Sequence, residues 1–75
     1  MTATAEAARA REELLVAHRL FRRYEHRDTA WLVEFLLREW RPVLGADETY
    51  DISRLARVEA SRLEDSGAPL TGGTA

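Results

Sequence analysis

Apolar side chains return every three or four residues along most of this chain, and no segment alternates with the two-residue period of a strand. In the first third they form one series, which consists of Ala7, Ala10, Leu14, Ala17, Phe21 and Tyr24. Such spacing is typical of a helix that packs along its whole length. The pattern therefore predicts a long first helix, from about Ala5 to Arg27.

The next apolar segment predicts a shorter second helix, from Ala30 to about Arg41. Asp28 or Thr29 has the side-chain oxygen that an N-cap residue needs. Pro42 is expected to end the helix, because it has no backbone N–H and restricts the residue before it.

Apolar residues cover most of the circumference of this second helix. Glu34, Arg38 and Arg41 form a narrow polar stripe, with Glu39 beside it. The large apolar residues are Trp31, Leu32, Val33, Phe35, Leu36, Leu37 and Trp40. A helix of this kind either lies at the centre of a core or contacts another chain.

A third helix is predicted from about Ile52 to Asp65, with Asp51 as its N-cap, after a loop over Val43–Tyr50. Its mostly apolar face consists of Ile52, Leu55, Ala56, Glu59 and Leu63. The residues that follow, 66–75 (SGAPLTGGTA), are small, polar and rich in helix breakers, which predicts a disordered C-terminal tail. The expected fold class is all-α: a small three-helix domain over residues 1–65 and a tail over residues 66–75.

Composition excludes several classes of protein. The chain has 75 residues and no cysteine, so a disulfide framework and a zinc knuckle are ruled out. The net charge of −2 argues against a surface built wholly for nucleic acid. The N-terminal residues lack the features of a signal peptide and no apolar run is long enough to span a bilayer, so we expect a cytoplasmic protein.

The chain has few residues in patterns that suit catalysis. His18 and His26 are eight residues apart, and neither has a histidine or carboxylate partner at the helical spacing of a metal site. Asp47, Glu48 and Asp51 are close in sequence, but a solvated turn with an N-cap explains them. No phosphate-binding glycine motif or nucleophile motif occurs. We therefore expect a protein that is not an enzyme and has no metal or other cofactor.

Four arginines late in the first helix form a local basic stripe, called here the arginine stripe: Arg19, Arg22, Arg23 and Arg27. With His26, they fall within about 140° on a helix that turns 100° per residue. Such a stripe can bind phosphates or the acidic face of a protein partner. It is also explained by a solvated outer face, because cations are favoured near a helix C-terminus.

Leu15 and Val16 project away from the apolar series of the first helix and add aliphatic surface beside the arginine stripe. Together with the excess apolar surface of the second helix, they predict a second contact surface. We take Leu15, Val16, Trp31, Phe35 and Trp40 as candidate anchors of a core or an interface, since aromatic residues are common hot spots.

Residues 49–58 (TYDISRLARV) resemble the first helix of a LacI-type helix-turn-helix. In that family a small residue, usually glycine, would fall at position 57, and a recognition helix would follow. Arg57 stands there instead, and the helical pattern continues to Leu63 without a break. The resemblance therefore ends where the DNA-reading helix would begin.

Residues 32–42 form an apolar segment that ends in Trp40-Arg41-Pro42. This segment is similar to the middle of the small delta subunit of NAD-dependent formate dehydrogenases, although its distance from the first helix is shorter here. The resemblance implies a small helical accessory subunit of an enzyme complex, and it assigns no role to any single residue.

Three functions remain open at this point. The leading hypothesis is a noncatalytic accessory subunit or adaptor that binds a larger protein and no membrane, with nucleic acid a less favoured partner. The second is a small nucleic-acid-associated regulator that uses the arginine stripe, and its complexes would dissociate steeply with salt. The third is a helical homodimer with no other partner, which would show a doubled mass in solution.

Overall fold

A computed structural model describes residues 2–24 and 27–70 of the chain. They form three helices, α1 (Thr2–Tyr24), α2 (Arg27–Leu44) and α3 (Ala46–Asp65), and turns follow α3. No strand occurs within these ranges. The prediction of an all-α, three-helix domain is confirmed, although the predicted boundary at Arg27 is wrong, because this residue opens α2 and does not end α1.

The break between α2 and α3 lies at Gly45 and not at Pro42. Pro42 lies inside α2, where it removes one backbone hydrogen bond in the last turn without ending the helix. The Gly45 N–H still bonds the Arg41 carbonyl at 2.8 Å. Gly45 then adopts a φ of 91°, which favours glycine because it has no Cβ, and this conformation redirects the chain.

The predicted loop over Val43–Tyr50 is wrong, because α3 begins immediately after Gly45. Asp51 lies inside α3 and does not cap it; the N-cap is Gly45, which provides no side-chain hydrogen bond. Asp47 and Glu48 stand in the first turn of α3, where carboxylates interact favourably with the helix dipole. These charges favour an early start of α3. The N-cap expected at Asp28 or Thr29 is also wrong, because α2 already begins at Arg27.

The helix α1 lies at the centre of the packing. It contacts α3 most extensively and α2 less, while α2 and α3 contact each other least. Alanine predominates among the buried apolar residues, which are Ala10, Leu14, Ala17, Trp40, Ile52, Ala56 and Ala60. Because a core of small side chains fills little volume, it leaves much of α2 uncovered.

Several residues that the apolar spacing predicts in the core lie at the surface. Phe21, Tyr24 and Leu55 are each 43% exposed or more. On α3 the buried residues are Thr49, Ile52, Ser53, Ala56 and Ala60. The buried face of α3 thus includes two hydroxyl residues, which a search for apolar periodicity passes over.

Residues 66–70 close the C-terminal end of α3. The Gly67 N–H bonds the Glu64 carbonyl and the Ala68 N–H bonds the Leu63 carbonyl, with Gly67 at a φ of 76°. This arrangement is a Schellman motif, which satisfies the last carbonyls of a helix and turns the chain back. The rest of the predicted disordered tail, residues 71–75, lies outside the described residues.

Candidate functional site

The first arginine of the predicted stripe, Arg19, is buried, with 3% of its surface exposed. Its Nε donates to Glu64 Oε2 at 2.7 Å. Its two terminal nitrogens donate to the carbonyls of Pro69 at 2.9 Å and Ala68 at 2.6 Å. Since a guanidinium has donors in a fixed planar fork, one side chain fastens α1 to both the end of α3 and the segment after it.

Two further arginines of the stripe complete this contact. Arg23 donates to both carboxylate oxygens of Glu64, at 3.0 and 3.1 Å, and Arg22 donates to Asp65 at 3.1 Å. The hydrogen bond from Arg23 is the main cause that lowers the pKa of Glu64, and the bond from Arg19 acts in the same direction. We call the group formed by Arg19, Arg23 and Glu64 the arginine clamp. The structure thus joins three of the stripe's arginines to the end of α3, while the Arg27 side chain lies outside the described residues.

Of the apolar candidates, Trp40 is a core residue. It is 7% exposed and belongs to the main buried cluster. Its indole Nε1 donates to Glu13 Oε1 at 2.8 Å, and the Arg9 guanidinium lies 5.5 Å from the ring centre. Trp40 therefore packs α2 onto α1 and satisfies its polar atom within the chain.

Trp31 and Phe35 lie on a different side of α2 and remain open to solvent. Trp31 is 59% exposed and Phe35 is 48% exposed. Their rings are 6.0 Å apart and meet edge to face at 70°. Because this contact is between neighbouring turns of one helix, it holds the two rings in place without burying either of them.

An apolar groove adjoins these aromatic residues. It has a volume of about 740 Å³ and runs between α1, α2 and the segment after α3, with Leu15, Val16, Leu32, Leu36 and Leu70 in its lining. Leu32 and Phe35 are three residues apart and so are neighbours on the helix surface. We define the α2 surface as the exposed aromatic pair together with the neighbouring apolar residues of the groove: Val16, Trp31, Leu32, Phe35 and Leu36.

Sequence reasoning found some residues of this surface and missed others. Val16, Trp31 and Phe35 were expected as contact anchors, and the structure places all three at the surface, each 43% exposed or more. Leu15 is half-buried against the core cluster. Leu32, Leu36 and Leu70 were not singled out; the first two follow from helical spacing, but no local signal places Leu70 beside α1.

His18 is the one histidine among the residues that the structure describes. Its Nε2 lies 3.1 Å from Ser53 Oγ, within hydrogen-bond distance. Burial lowers the pKa of His18, and the nearby positive charge of Arg57 lowers it further. The imidazole is therefore held in its neutral form near pH 7, and it links α1 to α3.

Over residues 2–24 and 27–70, no group of three or more histidine, cysteine or acidic residues is placed to hold a metal ion. In the same part of the chain, no helix has the length and apolar character needed to cross a membrane.

The geometry brings together two areas of different chemistry: an arginine clamp that is used within the chain, and an exposed apolar α2 surface beside a groove. Comparison of the chain with protein-family models, with curated proteins and with solved structures gives no match.

Proposed function

We propose that this chain is a noncatalytic, cytoplasmic accessory protein that binds a helix of a larger protein through its α2 surface. The observation that carries the proposal is the exposure of Trp31 and Phe35 on the same helix that buries Trp40. Large aromatic residues are enriched at the centres of protein interfaces and carry much of the binding energy there. Burial of the exposed half of each side chain by a partner would contribute roughly 1 kcal/mol.

The shape of the surface favours a helix as the occupant. The groove is bordered by α1 on one side and α2 on the other, and its lining residue Leu32 is a helical neighbour of Phe35, whose ring meets that of Trp31. An amphipathic helix fits such a site by placing apolar residues from successive turns along the groove. The partner segment is therefore expected to have apolar residues at three- and four-residue spacing.

The charges around the groove indicate which residues should flank the apolar stripe of that partner helix. Glu12 lies in the groove lining, and Glu39 is exposed on α2 one turn after Phe35 and Leu36. Neither carboxylate forms an ion pair with any part of the chain that the structure describes. A partner helix with arginine or lysine beside its apolar stripe would complement both groups, which would favour specificity and fast association.

The intramolecular role of the arginine stripe favours this proposal over a nucleic-acid regulator. Arg19 and Arg23 both donate to the carboxylate of Glu64, so their donor groups are engaged within the chain before any phosphate arrives. A homodimer through the same α2 surface is the remaining alternative, and the solution mass distinguishes it.

The test compares three tagged proteins: the native chain, Phe35→Asp, and the control Val58→Asp. Val58 is 60% exposed on α3 and so matches Phe35 in exposure while lying off the α2 surface. Each protein is used to capture partners from the native host at moderate salt after nuclease treatment. A photoreactive phenylalanine at position 35 then shows which segment of a captured protein touches this site.

The proposal expects one protein that the native chain and Val58→Asp both retain and that Phe35→Asp loses. The crosslink should map to an amphipathic helix, and a peptide of that helix should bind Phe35→Asp at least about tenfold more weakly. Capture that is equal for all three proteins, or that disappears with nuclease, would overturn the proposal. A doubled mass by light scattering that Phe35→Asp abolishes would replace it with the homodimer.

A further inference from the structure

A second groove, distinct from the α2 surface, opens between α1, the end of α2 and the first half of α3. It has a volume of about 460 Å³. Arg41 of α2 and Arg54 and Arg57 of α3 line it, so we call it the arginine groove. These residues are separate from the arginine stripe of α1, and sequence spacing did not single them out.

The positive charge of the arginine groove is poorly balanced by the chain itself. Arg41 and Arg57 form no ion pair within the described residues. Arg54 approaches Asp51 only to 3.9 Å, and both side chains of that pair are more than half exposed. Asp47 is the one carboxylate among the residues of the lining. This differs from Arg19, which meets Glu64 at 2.7 Å.

Two buried residues with hydroxyl groups belong to the lining of the same groove. Ser53 is 9% exposed and its Oγ lies 3.1 Å from His18 Nε2. Thr49 is 1% exposed, and its Oγ1 has no hydrogen-bond partner among the described residues. Buried side-chain hydroxyls almost always have a partner, so the unpartnered hydroxyl of Thr49, a residue of the groove lining, is a free hydrogen-bonding group beside the charged groove.

The start of α3 adds a further favourable feature. Ala46 and Asp47 belong to the groove lining, and the first turn of α3 has no side-chain cap. The N–H groups of a helix's first turn have no partner within the helix, and the dipole gives that end a partial positive charge. The backbone of this turn therefore adds to the attraction of the three guanidinium groups for an anion, against the opposing charges of Asp47 and Glu48.

We infer that the arginine groove is a binding site for a phosphate group. A carboxylate and a phosphodiester each have two unesterified oxygens, whereas a terminal phosphate group has three and can accept from several guanidinium groups at once. Guanidinium groups also match phosphate oxygens in bidentate geometry. The phosphate can belong to a small phosphorylated molecule or to the backbone of a nucleic acid, which share this chemistry. The inference is independent of the proposed partner helix.

The experiment follows backbone amide signals of the full-length chain by NMR during separate titrations with pyrophosphate, a short oligothymidine and succinate, with chloride matching the ionic strength. The test variant combines Arg41→Gln with Arg57→Gln. The control is Arg38→Gln, which removes an exposed arginine of α2 outside this groove. Unchanged far-ultraviolet circular dichroism verifies the fold of each variant, and Arg57→Gln alone serves if the double variant fails to fold.

The site predicts saturable shifts for pyrophosphate or for the oligonucleotide at Thr49, Ser53 and Arg57. Binding should weaken at least about tenfold in the double variant and stay unchanged in Arg38→Gln. Whichever phosphate compound binds more tightly identifies the source of the ligand. Absence of saturable shifts with both phosphate compounds, equal binding of succinate, or equal loss in the control would overturn the inference.

Discussion

The two sides of α1 are built on opposite chemistry. Toward α3 the contact is closed by a buried ion pair, in which Arg19 donates to Glu64 and to two carbonyls beyond the helix. Toward α2 the contact is closed by Trp40, but Trp31 and Phe35 stay outside it. A buried ion pair therefore adds to the apolar core on one side of α1, while two aromatic residues beside its other side remain exposed to another molecule.

The small size of the core explains this difference. Four of the six buried apolar residues that the structure describes along α1 and α3 are alanines, with Leu14 and Ile52 as the larger two, so little apolar volume is enclosed there. The helix α2 makes few contacts with α3, so one part of its apolar circumference meets α1 and another part faces solvent. An apolar helix in a protein this small is thus consistent with a surface that another chain covers.

The largest expected effect separates the two tryptophans. Trp40→Ala should lower the free energy of unfolding by about 4 kcal/mol, because it removes a buried ring and its hydrogen bond to Glu13. Trp31→Ala should lower it by less than about 1 kcal/mol, because the ring is already exposed. Urea unfolding measures both values, and equal losses would show that both rings contribute to the core.

A smaller effect separates two arginines that both reach the end of α3. Arg19→Met should cost about 3 kcal/mol, since it leaves two carbonyls and a nearly buried carboxylate short of donors. Arg22→Met should change stability by no more than about 0.5 kcal/mol, because the Arg22–Asp65 pair is largely solvated. Thermal and urea unfolding of the two variants compare them directly. Equal values would mean that burial of Arg19 adds nothing to the clamp.

The smallest expected effect is a pH dependence on the closed side of α1. Since the folded chain lowers the pKa of His18 below 6.5, the unfolded chain binds more protons just under that pH. The contribution of neutral His18 to the free energy of unfolding is therefore complete above pH 6.5, and it is lost as the pH falls from 6.5 toward the folded pKa. Unfolding curves recorded at several pH values between 5 and 7.5 should show that the free energy of unfolding depends less steeply on pH in His18→Gln than in the native chain. An unchanged slope would remove His18 as its source.

The sequence predicts the helices better than their ends and contacts. Apolar spacing identifies three helices, but Pro42 is a misleading stop signal, because a proline in the last turn removes only one bond and Gly45 makes the actual break. Trp31 and Trp40 belong to one apolar segment, and only the packing of α1 determines which of them is buried.

The arginine clamp escaped prediction for a physical reason. Arg19 and Glu64 are 45 residues apart, and no local pattern shows that α3 and the turn after it return to α1 at this point. The arginine groove escaped prediction for the same reason, because it combines residues of all three helices.

The fluorescence of Trp31 alone, measured in the Trp40→Phe variant, tests the openness of the α2 surface most directly. The variant keeps a ring at position 40 and leaves a single tryptophan as the reporter. In dilute solution the emission should resemble that of free tryptophan amide, and acrylamide should quench it nearly as strongly. A blue-shifted and shielded emission from a folded monomer would show that Trp31 packs within the chain, which would contradict an open α2 surface.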